Sequence, residues 1–181
     1  PVVTESTDTI VREVASLKEM VDEFSRFARL PEVRLAKGSL NEVIGNAVAA
    51  FEGRDVEIQV ELMDTLPEVN LDEEQLKRVF VNLIENAIEA MEQSEKKTVT
   101  VMSHFDSTRE TVTCEVSDSG PGIPSAAFPK LFLPYFSTKG RGTGLGLAIV
   151  QRIVTEHGAK IRAANKPEGG AKFIIEIPVQ G

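Results

Sequence analysis

The chain has 181 residues, of which 41% are hydrophobic and 27% charged. That is an ordinary globular composition, enough for one domain with a core and a small appendage. A net charge of −8 and a pI near 4.9 exclude a surface built for nucleic acid or anionic membrane. No apolar run approaches the roughly 20 residues of a membrane span, and the single cysteine, Cys114, excludes an intrachain disulfide and fits a reducing compartment.

The chain opens on Pro1 with no initiator methionine and no visible leader, which reads as a piece of a longer protein. From about Ser6 to Leu30, Ile10, Val14, Leu17, Val21, Phe24 and Ala28 recur at spacings of four and three. This is the seam of a coiled coil or helical bundle, and it needs a partner helix to cover it. Pro31 stops the helix, and residues to Ser39 read as a linker. Ser39–Phe51 reads as a helix capped by Ser39, with Glu42 at the capping-box position. Val56–Leu62 alternates strictly, as a half-buried strand does.

The strongest helix runs from about Glu73 to Gln93, with Asp72 as N-cap and Gln75 three residues on. Leu76, Val79, Phe80, Leu83, Ile84, Ala87, Ile88 and Met91 form its apolar stripe. Arg78, Asn82, Glu85, Asn86 and Glu89 stack on the other face. Two asparagines at i, i+4 inside a helix cost propensity, so they invite a functional reading. Thr98–Phe105 and Thr111–Val116 read as paired strands. Valines flank Cys114 in the second, so its thiol is expected to be buried and inert. Asp118–Gly146 is rich in glycine and proline and too long for an ordinary connection. Leu147–His157 reads as a helix ended by Gly158, and Ile161–Ala164 and Phe173–Val179 close the chain as strands. The elements together predict an α/β (α+β) two-layer sandwich, with helices covering one face of a mixed sheet.

Three segments in the long loop bear chemistry. Asp118-Ser-Gly120-Pro-Gly122-Ile123 ends a strand, so the carboxylate can face a cavity while glycines let backbone pass close to a flat ligand. Leu131–Lys139 is aromatic and basic, with Phe132, Phe136, Thr138 and Lys139. Gly142-Thr143-Gly144-Leu145-Gly146 runs straight into a helix, where backbone N–H groups can receive an anion. The spacing is not that of a Rossmann loop, and no Gly-Lys pair of a Walker A loop is present.

The order Asn82-x-x-x-Asn86, Asp118-x-Gly120-x-Gly122, Phe132-x-x-x-Phe136 and Gly142-x-Gly144-x-Gly146 resembles the N, G1, F and G2 boxes of sensor histidine kinases. Those kinases share an ATP-binding fold with gyrase, Hsp90 and MutL. The likeness runs from about Leu35 to the end. Val21–Pro31 is similar to the second helix of the dimerisation hairpin in nitrogen-regulation kinases of the NtrY/NtrB type. The implied organisation is 1–31 a partial hairpin, 32–38 a linker and 39–181 the catalytic domain.

The resemblance implies ATP and Mg²⁺ as cofactors. Asn86, with Asn82, would ligate Mg²⁺ through amide oxygens, a hard-donor set suited to that ion. Asp118 would accept a hydrogen bond from the adenine amino group, with Gly120, Gly122 and Ile123 around the ring. Gly142, Thr143, Gly144, Leu145 and Gly146 would hold phosphates. Lys139 and Arg141 would neutralise the triphosphate from a lid running from about Pro124 to Arg141, with Phe136 and Thr138 also at the site. Glu85 is the carboxylate nearest the transfer, its other reading being a solvated helix glutamate. Two departures predict weaker nucleotide binding. Glu89 stands where many such kinases carry Lys or His, and Ala171 where many carry a hydroxyl residue.

In gyrase-like relatives a glutamate at the position of Asn82 activates water. An amide cannot act as that base, so little hydrolysis is expected. The family's phosphoryl acceptor is a histidine on the first hairpin helix. Neither His104 nor His157 resembles it, and His157 reads as a structural residue suited to a helix C-terminus. The expected partners are ATP, the acceptor helix of the parent protein, a response-regulator receiver domain and a second copy joined through the N-terminal helix, without nucleic acid. A cytoplasmic setting is expected. The alternative is a degenerate module that binds nucleotide and dimerises without kinase activity. An anti-sigma serine kinase is the other candidate, and the heptad stripe argues against it.

Overall fold

The computed structural model describes residues 31–138 and 143–179, together with Thr7, Ile10, Val11, Val14, Ala15, Lys18, Val21 and Ser25. Those eight positions are helical, and Ile10, Val14 and Val21 of the heptad stripe are exposed. Leu17, Phe24 and Ala28 lie outside the described residues.

The described elements in chain order are β1 (Ala36–Gly38), α1 (Leu40–Val48) with a 3-10 turn at Ala49–Phe51, β2 (Glu57–Leu62) and β3 (Val69–Leu71). Then follow α2 (Glu73–Ala90), β4 (Thr98–Asp106), β5 (Thr111–Asp118), a 3-10 segment at Ser125–Lys130, α3 (Gly146–Glu156), β6 (Lys160–Asn165) and β7 (Ala171–Pro178). Among the described residues one sheet runs in the order β2-β4-β5-β7-β6. β2 and β4 are parallel, as the intervening crossover through α2 requires, and every other pair is antiparallel. The sheet is mixed and the layers number two, as the patterns led one to expect.

The core lies between the helices and one sheet face. α2 is its axis, packing against both α1 and α3. Leu76, Val79, Phe80, Leu83 and Ile84 are at most 1% exposed. They meet Val99 and Val101 of β4, Val112 and Cys114 of β5, and Phe173, Ile175 and Ile177 of β7 in one apolar cluster. Truncating Phe80 to alanine would cost about 3–5 kcal/mol through lost burial and the cavity left behind. The opposite sheet face is polar. It carries His104, Glu115, Lys160, Arg162 and Lys172 around an open recess of about 450 Å³.

The helix starts follow the local chemistry. Ser39 accepts from the Glu42 N–H at 3.4 Å, and Asp72 from the Gln75 N–H at 3.1 Å. α2 stops three residues short of the predicted Gln93, and β5 extends two residues past Val116 to place Asp118 at its end. One difference is larger. Within the span expected to be a linker, Ala36–Gly38 pairs antiparallel with Val69–Leu71 as a separate two-stranded sheet. Strands of three residues are too short to display an alternation, and only a distant partner stabilises them. No helix among the described residues is long and apolar enough to cross a membrane.

Candidate functional site

The polar face of α2 meets the N-terminus of α3. Asn82 Nδ2 donates to the Arg78 carbonyl one turn back at 2.8 Å, which fixes the amide and leaves Oδ1 turned toward α3. A β-carbon on Gly146 would lie 3.2 Å from Asn82 Oδ1 and 3.8 Å from Asn86 Nδ2. So the first residue of α3 touches both asparagines, and only a residue without a side chain fits there without displacement. The first backbone bond of α3 runs from the Ile149 N–H to the Leu145 carbonyl. The N–H groups of Gly146, Leu147 and Ala148 therefore have no partner within the helix. Among the described residues no acidic residue of the first turn and no side-chain cap occupies this end, so it is a positive pole suited to an anion.

The second wall is the end of β5. Asp118 is 5% exposed. Its Oδ1 accepts from the Gly120 N–H at 2.8 Å and the Ala171 N–H at 3.2 Å. No described residue donates to its Oδ2, so one carboxylate oxygen is held by backbone and the other is left to a ligand. Gly170, at φ +89°, lies directly on the Asp118 backbone, where a β-carbon would overlap the carbonyl oxygen. Ser119 ties this loop to the rest of the domain. It receives the Thr98 N–H at 3.1 Å and contacts the Lys96 carbonyl at 3.1 Å and Met91 Sδ at 3.2 Å.

The third wall is the aromatic segment. Phe132 meets Phe173 of β7 edge to face, with centroids 6.4 Å apart, which roots the segment on the sheet. The Tyr135 N–H donates to the Gly144 carbonyl at 2.9 Å. Gly144, at φ +68°, lets the two backbones touch, since a β-carbon there would sit 2.7 Å from the Tyr135 carbonyl carbon. Thr143 Oγ1 accepts from the Leu145 N–H at 3.4 Å. Phe136 is half-buried and Thr138 exposed.

The structure thus gathers Asn82, Asn86, Asp118, Gly120, Gly122, Ile123, Phe136, Thr143, Gly144, Leu145 and Gly146 around α2, α3 and the end of β5. Glu85 and Glu89 are exposed on α2. Lys139, Arg141 and Gly142 lie outside the described residues. Sequence reasoning missed one contributor and weighed another on a different basis. Ala171, singled out for its missing hydroxyl, acts through its backbone N–H, which no side-chain pattern signals. Asn165 bonds Ile123 from across the sheet, and an asparagine before a turn looks like turn chemistry alone.

His157 has a different basis from the one expected. It is 4% exposed. Its Nε2 accepts from the Asp72 N–H at 3.0 Å, so its Nδ1 carries the proton given to the Ile153 carbonyl at 2.8 Å. The ring is structural as a neutral bridge between helix ends, rather than as a cation at a helix C-terminus. Cys114 is buried as expected. Burial, aided by the adjacent Glu115 carboxylate, pushes its thiol far above the ordinary value of 9.0, which leaves it without nucleophilic character.

Comparison with known proteins bears on this geometry. The model of the family described as histidine kinase-, DNA gyrase B-, and HSP90-like ATPase matches residues 71–181. The signal transduction histidine-protein kinase AtoS of Escherichia coli (strain K12) is 31% identical over 183 residues, covering 99% of this chain and 30% of that protein. The nitrogen regulation protein NtrY of Azorhizobium caulinodans is 32% identical over 181 residues, covering 97% of this chain and 23% of that protein. The chain therefore spans about a third or less of these relatives. Among solved structures, the catalytic domain of histidine kinase ThkA is 36% identical with a TM-score of 0.70, covering 80% of this chain and 95% of that one. Full-length ShkA in complex with AMPPNP is 27% identical, TM-score 0.78, covering 96% of this chain and 38% of that one. ThkA in complex with the response regulator protein TrrA is 30% identical, TM-score 0.77, covering 98% and 52%.

Proposed function

We propose, for a chain that belongs to the family of histidine kinase-, DNA gyrase B- and HSP90-like ATPases, that it is the part of a two-component sensor histidine kinase that binds ATP and donates its γ-phosphoryl group. The acceptor is a histidine on a dimerisation helix, from which the group passes to a response-regulator aspartate. The observation that carries this reading is Asn82. Its amide is pinned to the Arg78 carbonyl at 2.8 Å, and its Oδ1 faces the start of α3, 3.2 Å from where a Gly146 β-carbon would lie. An acceptor oxygen and an open helix N-terminus side by side suit a metal-bound triphosphate, and an amide has no capacity to activate water.

The residues present fit Mg²⁺. That ion keeps several waters and takes phosphate oxygens, so the amide oxygens of Asn82 and Asn86 suffice from the protein. When bound, it neutralises charge on the β- and γ-phosphates. The chain's own work is to hold and orient. Asp118 Oδ2 accepts from the adenine amino group. The N–H groups of Gly146, Leu147 and Ala148 meet phosphate oxygens, and Lys139 and Arg141 contribute positive charge. Glu85 is the nearest carboxylate to assist proton removal from the acceptor.

Neither histidine of the chain suits the acceptor role. Both ring nitrogens of His157 are engaged in the interior, and His104 stands on the polar sheet face away from α2 and α3. The acceptor helix is therefore supplied by the parent protein, whose second copy joins through the stripe at Ile10, Val14 and Val21. The solved complex of ThkA with a response regulator protein supports a receiver domain as the next recipient. Similarity to NtrY supports a nitrogen-regulation setting, and ATP as donor supports a cytoplasmic one.

Calorimetry with and without Mg²⁺ tests the site, on the wild type and Asp118→Ala. Micromolar binding, strengthened by Mg²⁺ and lost in the variant, is expected. Transfer of label from ATP to a supplied acceptor hairpin separates a kinase from a degenerate binding module. Stable acid-labile label on His104 or His157 would overturn the assignment of the acceptor.

A further inference from the structure

The adenine end of the site hangs on a turn that none of the glycine motifs includes. β6 ends at Asn165 and β7 begins at Ala171, and the two are register partners. Asn165 Oδ1 accepts from the Ile123 N–H at 2.7 Å, and its Nδ2 donates to the Ile123 carbonyl at 2.9 Å. The side-chain amide thus pairs with one residue as a neighbouring strand would, with one donor and one acceptor. It also lies flush against the preceding peptide, since a β-carbon on Gly122 would come within 3.0 Å of Asn165 Oδ1. At the other end of the turn, the Ala171 N–H holds Asp118 Oδ1 at 3.2 Å. One turn therefore grips both ends of the loop Asp118–Ile123.

We propose that Asn165 is a positioning residue for base recognition. By fixing Gly122–Ile123 relative to Asp118, it keeps open a slot of set width for a flat purine. The inference rests on the ATP-binding reading above. An aspartate here would turn the contact with the Ile123 carbonyl repulsive, and an alanine would remove both bonds. In either case the loop must be ordered by the nucleotide itself, at an entropic cost that weakens binding. Asn165 is exposed and outside the apolar cluster, so its replacement leaves no cavity.

The test uses the whole chain and the variants Asn165→Ala and Asn165→Asp. Affinities for ATP, ADP and GTP are read by competition against a fluorescent ATP analogue, and thermal unfolding is followed in parallel. In both variants the ATP and ADP dissociation constants are expected to rise by the same factor, about five- to twentyfold. The preference for ATP over GTP should shrink, with Tm moved by no more than about 3 °C. Unchanged ATP affinity would overturn the inference. So would a parallel weakening of ATP and GTP accompanied by a large fall in Tm, because that is what loss of a purely structural bond produces. A wild type that binds no ATP would sink the ATP reading and this inference with it, whereas variants that bind ATP as tightly as a binding wild type sink the inference alone.

Discussion

The imidazole of His157 receives the backbone N–H of Asp72 at 3.0 Å, joining the C-terminal end of α3 to the N-terminal end of α2. Asp72 is itself the N-cap of α2 and takes the Arg34 N–H on Oδ2 at 2.9 Å. Three pieces of chain therefore meet at one point: the segment leading from the N-terminal helix, the asparagine-bearing helix, and the helix whose N-terminus is proposed to receive phosphates. Because α2 and α3 also touch at Gly146, the pair is fastened at both ends, which keeps the asparagines and the helix pole in register.

His157→Ala leaves the partly buried Asp72 N–H without its imidazole partner and opens a cavity. A loss of about 2–3 kcal/mol is expected, a fall of roughly 5–10 °C in Tm. Asp72→Ala removes the cap and the Arg34 contact for about 1 kcal/mol, but its backbone N–H remains for His157. The double variant should therefore be additive within about 0.5 kcal/mol in chemical denaturation. A large coupling would show that the ring depends on the cap side chain rather than on the backbone.

Two glycines should respond in opposite directions to alanine. Gly45 lies exposed in α1 with nothing within 4 Å of a β-carbon, so Gly45→Ala should stabilise by about 0.5–1 kcal/mol. Gly170→Ala meets the Asp118 carbonyl at a φ of +89°. It should cost about 3 kcal/mol or more and abolish nucleotide binding. Denaturant midpoints and calorimetry on both variants check the contrast.

Cys114 predicts an alkaline effect. Its folded thiol titrates far above the ordinary value of 9.0 because burial disfavours the thiolate. Its stabilising contribution is thus complete below the unfolded value. Above about pH 9 the unfolded chain releases this proton and the folded chain does not, so stability declines by up to about 1.4 kcal/mol per pH unit. Cys114→Ala should be less stable at neutral pH yet show a shallower decline between pH 9 and 10.5. Identical slopes in the two proteins would refute the assignment.

Glu89→Lys places an ammonium one turn beyond Asn86, on the face of α2 proposed to meet the phosphates. ATP binding is expected to tighten about three- to tenfold in low salt, with the gain shrinking at high ionic strength. Equal affinities at every salt concentration would mean that this position lies beyond reach of the triphosphate. The other departure, Ala171, carries less weight than its missing hydroxyl suggests. The site uses its backbone N–H, and alanine supplies that as well as threonine does.

Much of this was legible in the chain itself. The stripe of α2, the Ser39 and Asp72 caps, the alternation of β2 and the glycine-rich run into α3 are local patterns, set by the periods of helix and strand and by single-residue chemistry. The asparagine, aspartate, phenylalanine and glycine motifs were readable because each residue type has a narrow range of uses at its spacing. What needed the folded molecule was every relationship between segments far apart in sequence. β1 and β3 exist only because each completes the other. Asp118 Oδ1 is held from two sides only because Ala171 arrives from 53 residues away to join the local bond from Gly120. His157 is neutral and bridging, rather than a cation at a helix end, only because the Asp72 N–H points at it. Side-chain type restricts what a residue can donate or accept, but the partner that fixes its role is delivered by packing, and no local pattern encodes which partner that is.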